Sequence, residues 1–411
     1  MRAIRSLSLA QRVAAIVGSA TLFCATNACA GTYAGGDISW LDGVQRPSVG
    51  QGPIRLRWTE PLAEPGDGSY EPVEHAVPGL DPAHDRVYVG STRGKFWAMR
   101  GNGQKIWLYN AEGGIEAAPA IDGDRGEVYV GTTQGFVHAL RTGDGSPIWQ
   151  KPIEGAVRNQ PVLSEDAVYV TTNNDLVVAY SRESGEVLWR YHRDPPDGFS
   201  IAGHAGMVLA DNKLLAAFSD GVLVALDPGD GHAIWERDTA LDLEEAPEGM
   251  TRFIDIDTTP VVLGTSVYIA SFAAGFYELA LSSGSVRGRD SARTGITAIT
   301  ASQHALDTEG AEGALVLSSA DDGVVCLGLP DRAPLWTHRV ARGSASVPRI
   351  AGEYVYVGEN NGGFLALSLP TGQEVSRFEA GYGFSAEASI ADRRGFVLSN
   401  GGTLFAFSLA E

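Results

Sequence analysis

Cysteine is nearly absent from this chain of 411 residues: there are 3, at positions 24, 29 and 326. The first two lie in a segment that reads as a leader, which leaves Cys326 alone and excludes an intrachain disulfide framework in the exported protein. Stability must therefore come from packing. Positive charge is also scarce, with 31 Lys and Arg against 50 Asp and Glu, a formal net charge of -19. A surface of that sign repels phosphate backbones, so it disfavours sequence-independent nucleic-acid binding and suits a basic or neutral partner. Helical periodicity is almost absent. Charged residues make up 20% and hydrophobic residues 44%, which excludes both a disordered polyelectrolyte and a polytopic membrane protein.

The N-terminus carries targeting features. Arg2, Arg5 and Arg12 form a positive region, and the apolar run Val13 to Phe23 is too short to span a bilayer. Ala28-Cys29-Ala30 then offers a small-x-small cleavage site before Gly31. Two processing routes stay open: cleavage after Ala30, or a lipoprotein route in which Cys29 is acylated. Both export the chain. Removing residues 1–30 takes away three cations and no anions, so 28 basic residues face 50 acidic ones, a net -22. Residues 1–30 are thus expected to be a signal peptide, 31–52 a flexible tail and 53–411 the folded body.

Glycine is abundant, 51 of 411 residues, and it punctuates a repeat. Short β-branched or aromatic runs are centred near residues 88, 129, 169, 215, 268, 316, 356 and 397, which are 41, 40, 46, 53, 48, 40 and 41 apart. Within a unit the order is constant. Val128-Tyr129-Val130 is followed by the turn Gln134-Gly135, the run Phe136 to Leu140, the turn Thr142-Gly143-Asp144-Gly145, and then Ile148-Trp149. Glycines at the turns supply positive φ, and alternating apolar residues give each strand a buried face. The strand containing tryptophan recurs at Trp107, Trp149, Trp189, Trp235 and Trp336. A lead-in of small residues ending in proline follows it, as in Ala117-Ala118-Pro119 and Thr258-Thr259-Pro260. Four strands per roughly forty residues predict an all-β, eight-bladed β-propeller of four-stranded antiparallel blades.

The two ends of the sequence complement each other. After Leu404 to Phe407 the chain stops short of a tryptophan strand, whereas Ile54 to Trp58 is a tryptophan strand with no partner before it. The N-terminal strand is expected to join the last blade and close the ring, which removes two open edges.

The turn-plus-tryptophan pattern Ala139 to Trp149, repeated at Ala179 to Trp189 and Ala225 to Trp235, resembles the blade motif of pyrroloquinoline-quinone-type propellers. That resemblance implies that the indoles of Trp58, Trp107, Trp149, Trp189, Trp235 and Trp336 are structural and dock between blades. Arg252 to Val262, with Asp255-Ile256-Asp257-Thr258-Thr259-Pro260 at its centre, is similar to the Asp-x-Asp-Thr-Thr-Pro stretch of the outer-membrane protein assembly factor BamB family. The similarity runs from about Pro53 to Glu411. It implies an exported, commonly lipid-anchored, monomeric and non-enzymatic scaffold of the bacterial cell envelope. Its protein partners would be the machinery that inserts β-barrels into the outer membrane. A second family element, Leu-x-Leu-Arg-Gly, is matched in part by Phe199-Ser200-Ile201-Ala202-Gly203, where Ala202 stands for the arginine. The alternative within the superfamily is a quinone-dependent oxidoreductase.

Nothing in the residues specifies a catalyst. There is no adjacent cysteine pair, no Asp-x-Asp-x-Asp calcium loop and no Gly-x-Ser-x-Gly elbow, and the eight histidines lack metal-ligand spacing. The expectation is no catalytic residue, no metal and no cofactor. Asp122-Gly123-Asp124 and Asp227 to Gly231 read as plain turns. Two of the long spacings arise where a tryptophan strand passes to the next blade, at Arg193 to Gly203 and Asp238 to Asp257. Enlarged loops on one face of a rigid scaffold are where propellers carry function. Phe199 and Ile201 are therefore candidate apolar anchors for a partner, and Asp255 and Asp257 are candidate carboxylates.

Overall fold

Runs such as Val128-Tyr129-Val130 and Leu176 to Tyr180 are buried along their whole length. Branched and aromatic side chains on both faces of a strand are satisfied only where a sheet packs against sheets on both sides. A ring of blades provides that packing. In the computed structural model, residues 52–62, 74–194, 205–243, 253–302 and 313–410 are described. They form eight four-stranded antiparallel sheets. Blade 1 starts at Gly79–Asp81, and blades 2 to 7 follow at Ala120–Asp122, Val162–Leu163, Met207–Ala210, Val261–Leu263, Ile296–Ser302 and Arg349–Ala351. Blade 8 comprises Ser389–Ala391, Arg394–Leu398, Thr403–Leu409 and, as its fourth strand, Ile54–Pro61. First strands of neighbouring blades touch, so they line the axis, and the tryptophan strands lie outermost.

Closure follows the expected route. Ile54 pairs with Leu409, Leu56 with Phe407 and Pro61 with Thr403. Eight clusters of buried residues make up the core, and each bridges two successive blades.

The tryptophans explain how the blades hold one another. Each stands opposite a small residue of its own blade: Ala406 for Trp58, Ala98 for Trp107, Ala139 for Trp149, Ala179 for Trp189, Ala225 for Trp235 and Cys326 for Trp336. Each indole N–H donates to a backbone carbonyl in the following blade, at Gly101, Thr142, Arg182, Pro228, Leu281 and Leu369, over 2.7 to 3.1 Å. The ring lies on a glycine of that same turn. A methyl group at Gly145 would stand 2.7 Å from Trp107, and Gly145 has φ of 73° as well, so only glycine fits.

Two blades depart from the rule. Counting by register, Gly288 occupies the tryptophan position in blade 5 and Ser376 in blade 7. The turn that would receive each indole has changed too. Arg332 replaces the glycine after blade 5; its guanidinium fills the space above Gly288 and pairs with Glu278, which replaces the small opposing residue. After blade 7 no turn exists, and Gly52 at the entry to Ile54–Pro61 packs against Ser376. After blade 5, indole and docking glycine are therefore lost together, whereas at blade 7 Gly52 still faces the position the indole has vacated.

Candidate functional site

The tryptophan strands end and the first strands of the next blades begin on one face of the ring, together with the turns between second and third strands. On that face the lead-in segments end in proline at Pro78, Pro119, Pro161 and Pro260. Three residues ahead of these prolines stand His75, Glu116, Arg158 and Asp257. Blades 1 to 3 tie this layer together: His75 Nε2 lies 3.2 Å from Glu116 Oε2, and Arg158 Nη1 lies 3.4 Å from the same oxygen. The bond from His75 holds the Glu116 carboxyl below its ordinary range against the opposing effect of burial, with Arg158 adding its charge.

Asp257, in blade 5, is different. Among the described residues no hydrogen bond or ion pair reaches its carboxylate. Its segment is nonetheless fixed. Thr258 Oγ1 accepts the Ala270 amide at 2.9 Å, and Thr259 Oγ1 accepts the Gly206 amide at 2.9 Å. Ile256 is buried in the core shared by blades 4 and 5, and its amide donates to Phe218 O at 3.4 Å. Asp255 is buried and its carbonyl accepts the Phe272 amide at 2.9 Å. Burial, and then the neighbouring charge of Asp255, raise the Asp257 carboxyl to about 7. A carboxylate destabilised by desolvation and a like charge is one that an incoming cation would relieve.

A stability signature follows. The folded state binds the Asp257 proton more tightly than the unfolded chain does, so its stability falls as pH rises from about 4 to about 7. Asp257→Asn should raise the melting temperature at pH 8, stabilising by about 1–2 kcal/mol after allowance for solvent screening, and should have no effect at pH 4. Equal effects at both pH values would show that the carboxyl is not perturbed.

Of the other candidates, Phe199, Ile201 and Cys29 lie outside the described residues. The flanks of the Phe199 segment are visible: Arg193 Nε donates to Asp220 Oδ2 at 2.6 Å, and Ala205 is buried. Asp122 to Asp124 and Asp227 to Gly231 form turns, as read from sequence. Sequence reasoning passed over His232, whose ring joins Asp227 and Asp230 in a group with ligand atoms within 4.8 Å of one another. Asp230 and His232 are exposed, and the oxygens already serve the turn, with Asp227 Oδ1 accepting Gly229 N at 2.7 Å and Asp230 Oδ1 accepting His232 N at 3.0 Å. Cys326 is buried against Trp336, where burial pushes its thiol up to about 12 and leaves it unreactive.

Fold and site together define a closed, tryptophan-docked eight-bladed propeller with an acidic segment rooted on its connection face. The chain belongs to the family described as outer membrane protein assembly factor BamB, whose model matches residues 98–309, just over half of its length. A relative of that description from Burkholderia pseudomallei is 25% identical over 86% of this chain and 88% of its own. One from Yersinia pestis is 24% identical over 66% of this chain, which spans 66%, about two thirds, of that relative's length. Among solved structures, BamB from Moraxella catarrhalis superposes with a TM-score of 0.70 at 23% identity, covering 86% of this chain and 99% of its own. A quinohemoprotein alcohol dehydrogenase from Comamonas testosteroni superposes with a TM-score of 0.61 at 15% identity, covering 86% of this chain and 76% of its own, a likeness of fold alone.

Proposed function

We propose that the protein is a non-enzymatic docking scaffold of the bacterial cell envelope that assists assembly of β-barrel outer-membrane proteins. It would act in the periplasm, as a monomer, held near the outer membrane through Cys29 if that residue is acylated. The observation that carries this reading is Asp257: a half-buried carboxylate that no cation among the described residues reaches, on a rigid segment, beside a second carboxylate. Such a group suits a lysine or arginine side chain of a protein partner, and the net charge of -19 favours the encounter. Phe199 and Ile201, on the adjoining connection, would supply the apolar part of the contact. Family membership supplies the partner class, the barrel-inserting machinery.

The test is affinity capture from detergent-solubilised outer membranes with mass spectrometry. Wild-type protein should retain the barrel-inserting subunit. The double variant Asp255→Ala/Asp257→Ala should fold and lose it, with a cost of about 2–5 kcal/mol in binding, as for a desolvated interfacial charge. Intact capture by the double variant, with a large fall in melting temperature, would leave these carboxylates a structural role only.

A further inference from the structure

The turn between second and third strands has a fixed design around the ring. Its fourth residue is glycine in five blades, Gly94, Gly135, Gly221, Gly362 and Gly402, and in blades 5 and 6 the glycine comes one place later, at Gly275 and Gly323. Blade 3 carries Asp175 instead, at φ 54°, a left-handed conformation that glycine adopts freely and other residues adopt at a cost. An outlier of this kind asks what its side chain provides. The Asp175 carboxylate is buried and crosses to blade 4, where Oδ1 accepts the Ser219 amide at 3.1 Å and Oδ2 accepts the Ser219 hydroxyl. In six other blades the equivalent amide is bound by a backbone carbonyl of the incoming connection: Thr133 bonds Gly114, Asn173 bonds Ala156, Phe272 bonds Asp255, Ala320 bonds Gly295, Asn360 bonds Ser344 and Asn400 bonds Gly383, over 2.9 to 3.0 Å, and in blade 1 Thr92 bonds the Glu74 carboxylate. In blade 4 that place is taken by Asp175.

The turn held this way, Phe218-Ser219-Asp220-Gly221, is the common root of both enlarged connections. Asp220 Oδ2 receives Arg193 at the start of the first, with the Arg193 guanidinium over the Phe218 ring. Gly221 O receives both the Thr239 amide, at 3.0 Å, and the Thr239 hydroxyl, at 2.8 Å, at the start of the second. At its far end, Ile254 O lies 2.9 Å from where a Gly221 methyl would be, and the Ile256 amide reaches Phe218 O. Ile256 separates Asp255 from Asp257. A shift of this one turn would move all three attachment points.

We propose that Asp175 is a positioning residue for partner docking: its clasp on Ser219 sets the turn from which both connections hang, and so places Asp257. The inference rests on the docking reading above and adds to it a residue that touches no partner. Asp175→Gly gives blade 3 the residue that five other blades carry at this position, relieves the backbone and deletes the clasp. It should melt close to wild type, bind the barrel-inserting subunit about fivefold more weakly, and exchange its Ile256 amide faster. Asp175→Asn tolerates the left-handed backbone and keeps an oxygen for the Ser219 amide, so it should restore both readouts. If Asp175→Gly fails to fold, Asp220→Asn, which weakens the Arg193 attachment of the same turn, takes its place under the same criteria. Unchanged binding and exchange in the glycine variant, alongside lost binding in Asp257→Ala, would overturn the clasp and leave the docking site standing. Normal capture by Asp257→Ala would instead remove the docking reading on which the clasp depends.

Discussion

Replacing Trp58 with alanine should destabilise the protein by about 3 kcal/mol, near the lower end for a large aromatic because this indole is only half-buried. Three contacts would be lost together: the bond from Nε1 to Gly101 O at 3.0 Å, the packing on Gly103, and the ring contact with Phe396 at 5.8 Å between centroids. Unlike the other docked indoles, Trp58 belongs to a strand contributed from the opposite end of the chain, so it joins blade 8 to blade 1 and also secures Ile54–Pro61. Deleting the chain through Trp58 should do more. It would uncover Leu404 to Phe407, a strand of apolar residues whose edge groups now pair with Ile54–Pro61. An open edge of that composition invites strand pairing between molecules. Thermal unfolding and light scattering check both expectations. A truncated protein that stays monomeric and melts unchanged would show that the ring does not depend on its closing strand.

The propeller and its closure were legible because both are written in local patterns. Glycine fixes the turns, alternation fixes the buried faces, and tryptophan marks the fourth strand in six of the eight blades. The two exceptions were illegible for a physical reason. Gly288 and Ser376 carry no signal of their own, and Arg332 becomes meaningful only once register places it above Gly288. The same holds for Asp175, which reads as one more turn aspartate until its φ and its reach to Ser219 are seen. Asp255 and Asp257 stood out through the family-like segment around them. That no cation among the described residues stands beside Asp257 could not be read, because the ion pairs of His75, Glu116 and Arg158 join residues roughly forty apart.

The seam between blades 2 and 3 should prove as sensitive as the closing strand. Arg182 is buried there, with Nη2 at 2.7 Å from both Asp122 Oδ2 and Glu127 Oε2, Nη1 donating to Ser164 O at 2.9 Å and Nε to Tyr129 Oη at 3.2 Å. Its carbonyl also accepts the Trp149 indole at 2.8 Å. Burial alone would lower the guanidinium's proton affinity, and the bonds to Asp122, Tyr129 and Glu127 outweigh it. In return, Arg182 holds the Asp122 carboxyl below its ordinary range despite the opposing effect of burial. Arg182→Ala would leave two half-buried carboxylates without the guanidinium they share, at a cost of about 3–5 kcal/mol at pH 7. The sign of the pH dependence follows from Asp122. Its depressed folded value contributes stability above the unfolded pKa, and that contribution is lost as pH falls through the folded value. The gap between wild type and Arg182→Ala should therefore narrow in acid, where the orphaned carboxyls can take up protons. Adding Asp122→Asn and Glu127→Gln to Arg182→Ala should recover part of the loss at pH 7 by removing the unpaired charge rather than restoring the bond. Denaturant unfolding at pH 7 and pH 4 separates these effects. A pH-independent loss, unrelieved by the two amides, would mean that Arg182 matters through packing over the Tyr129 ring and not through its charge.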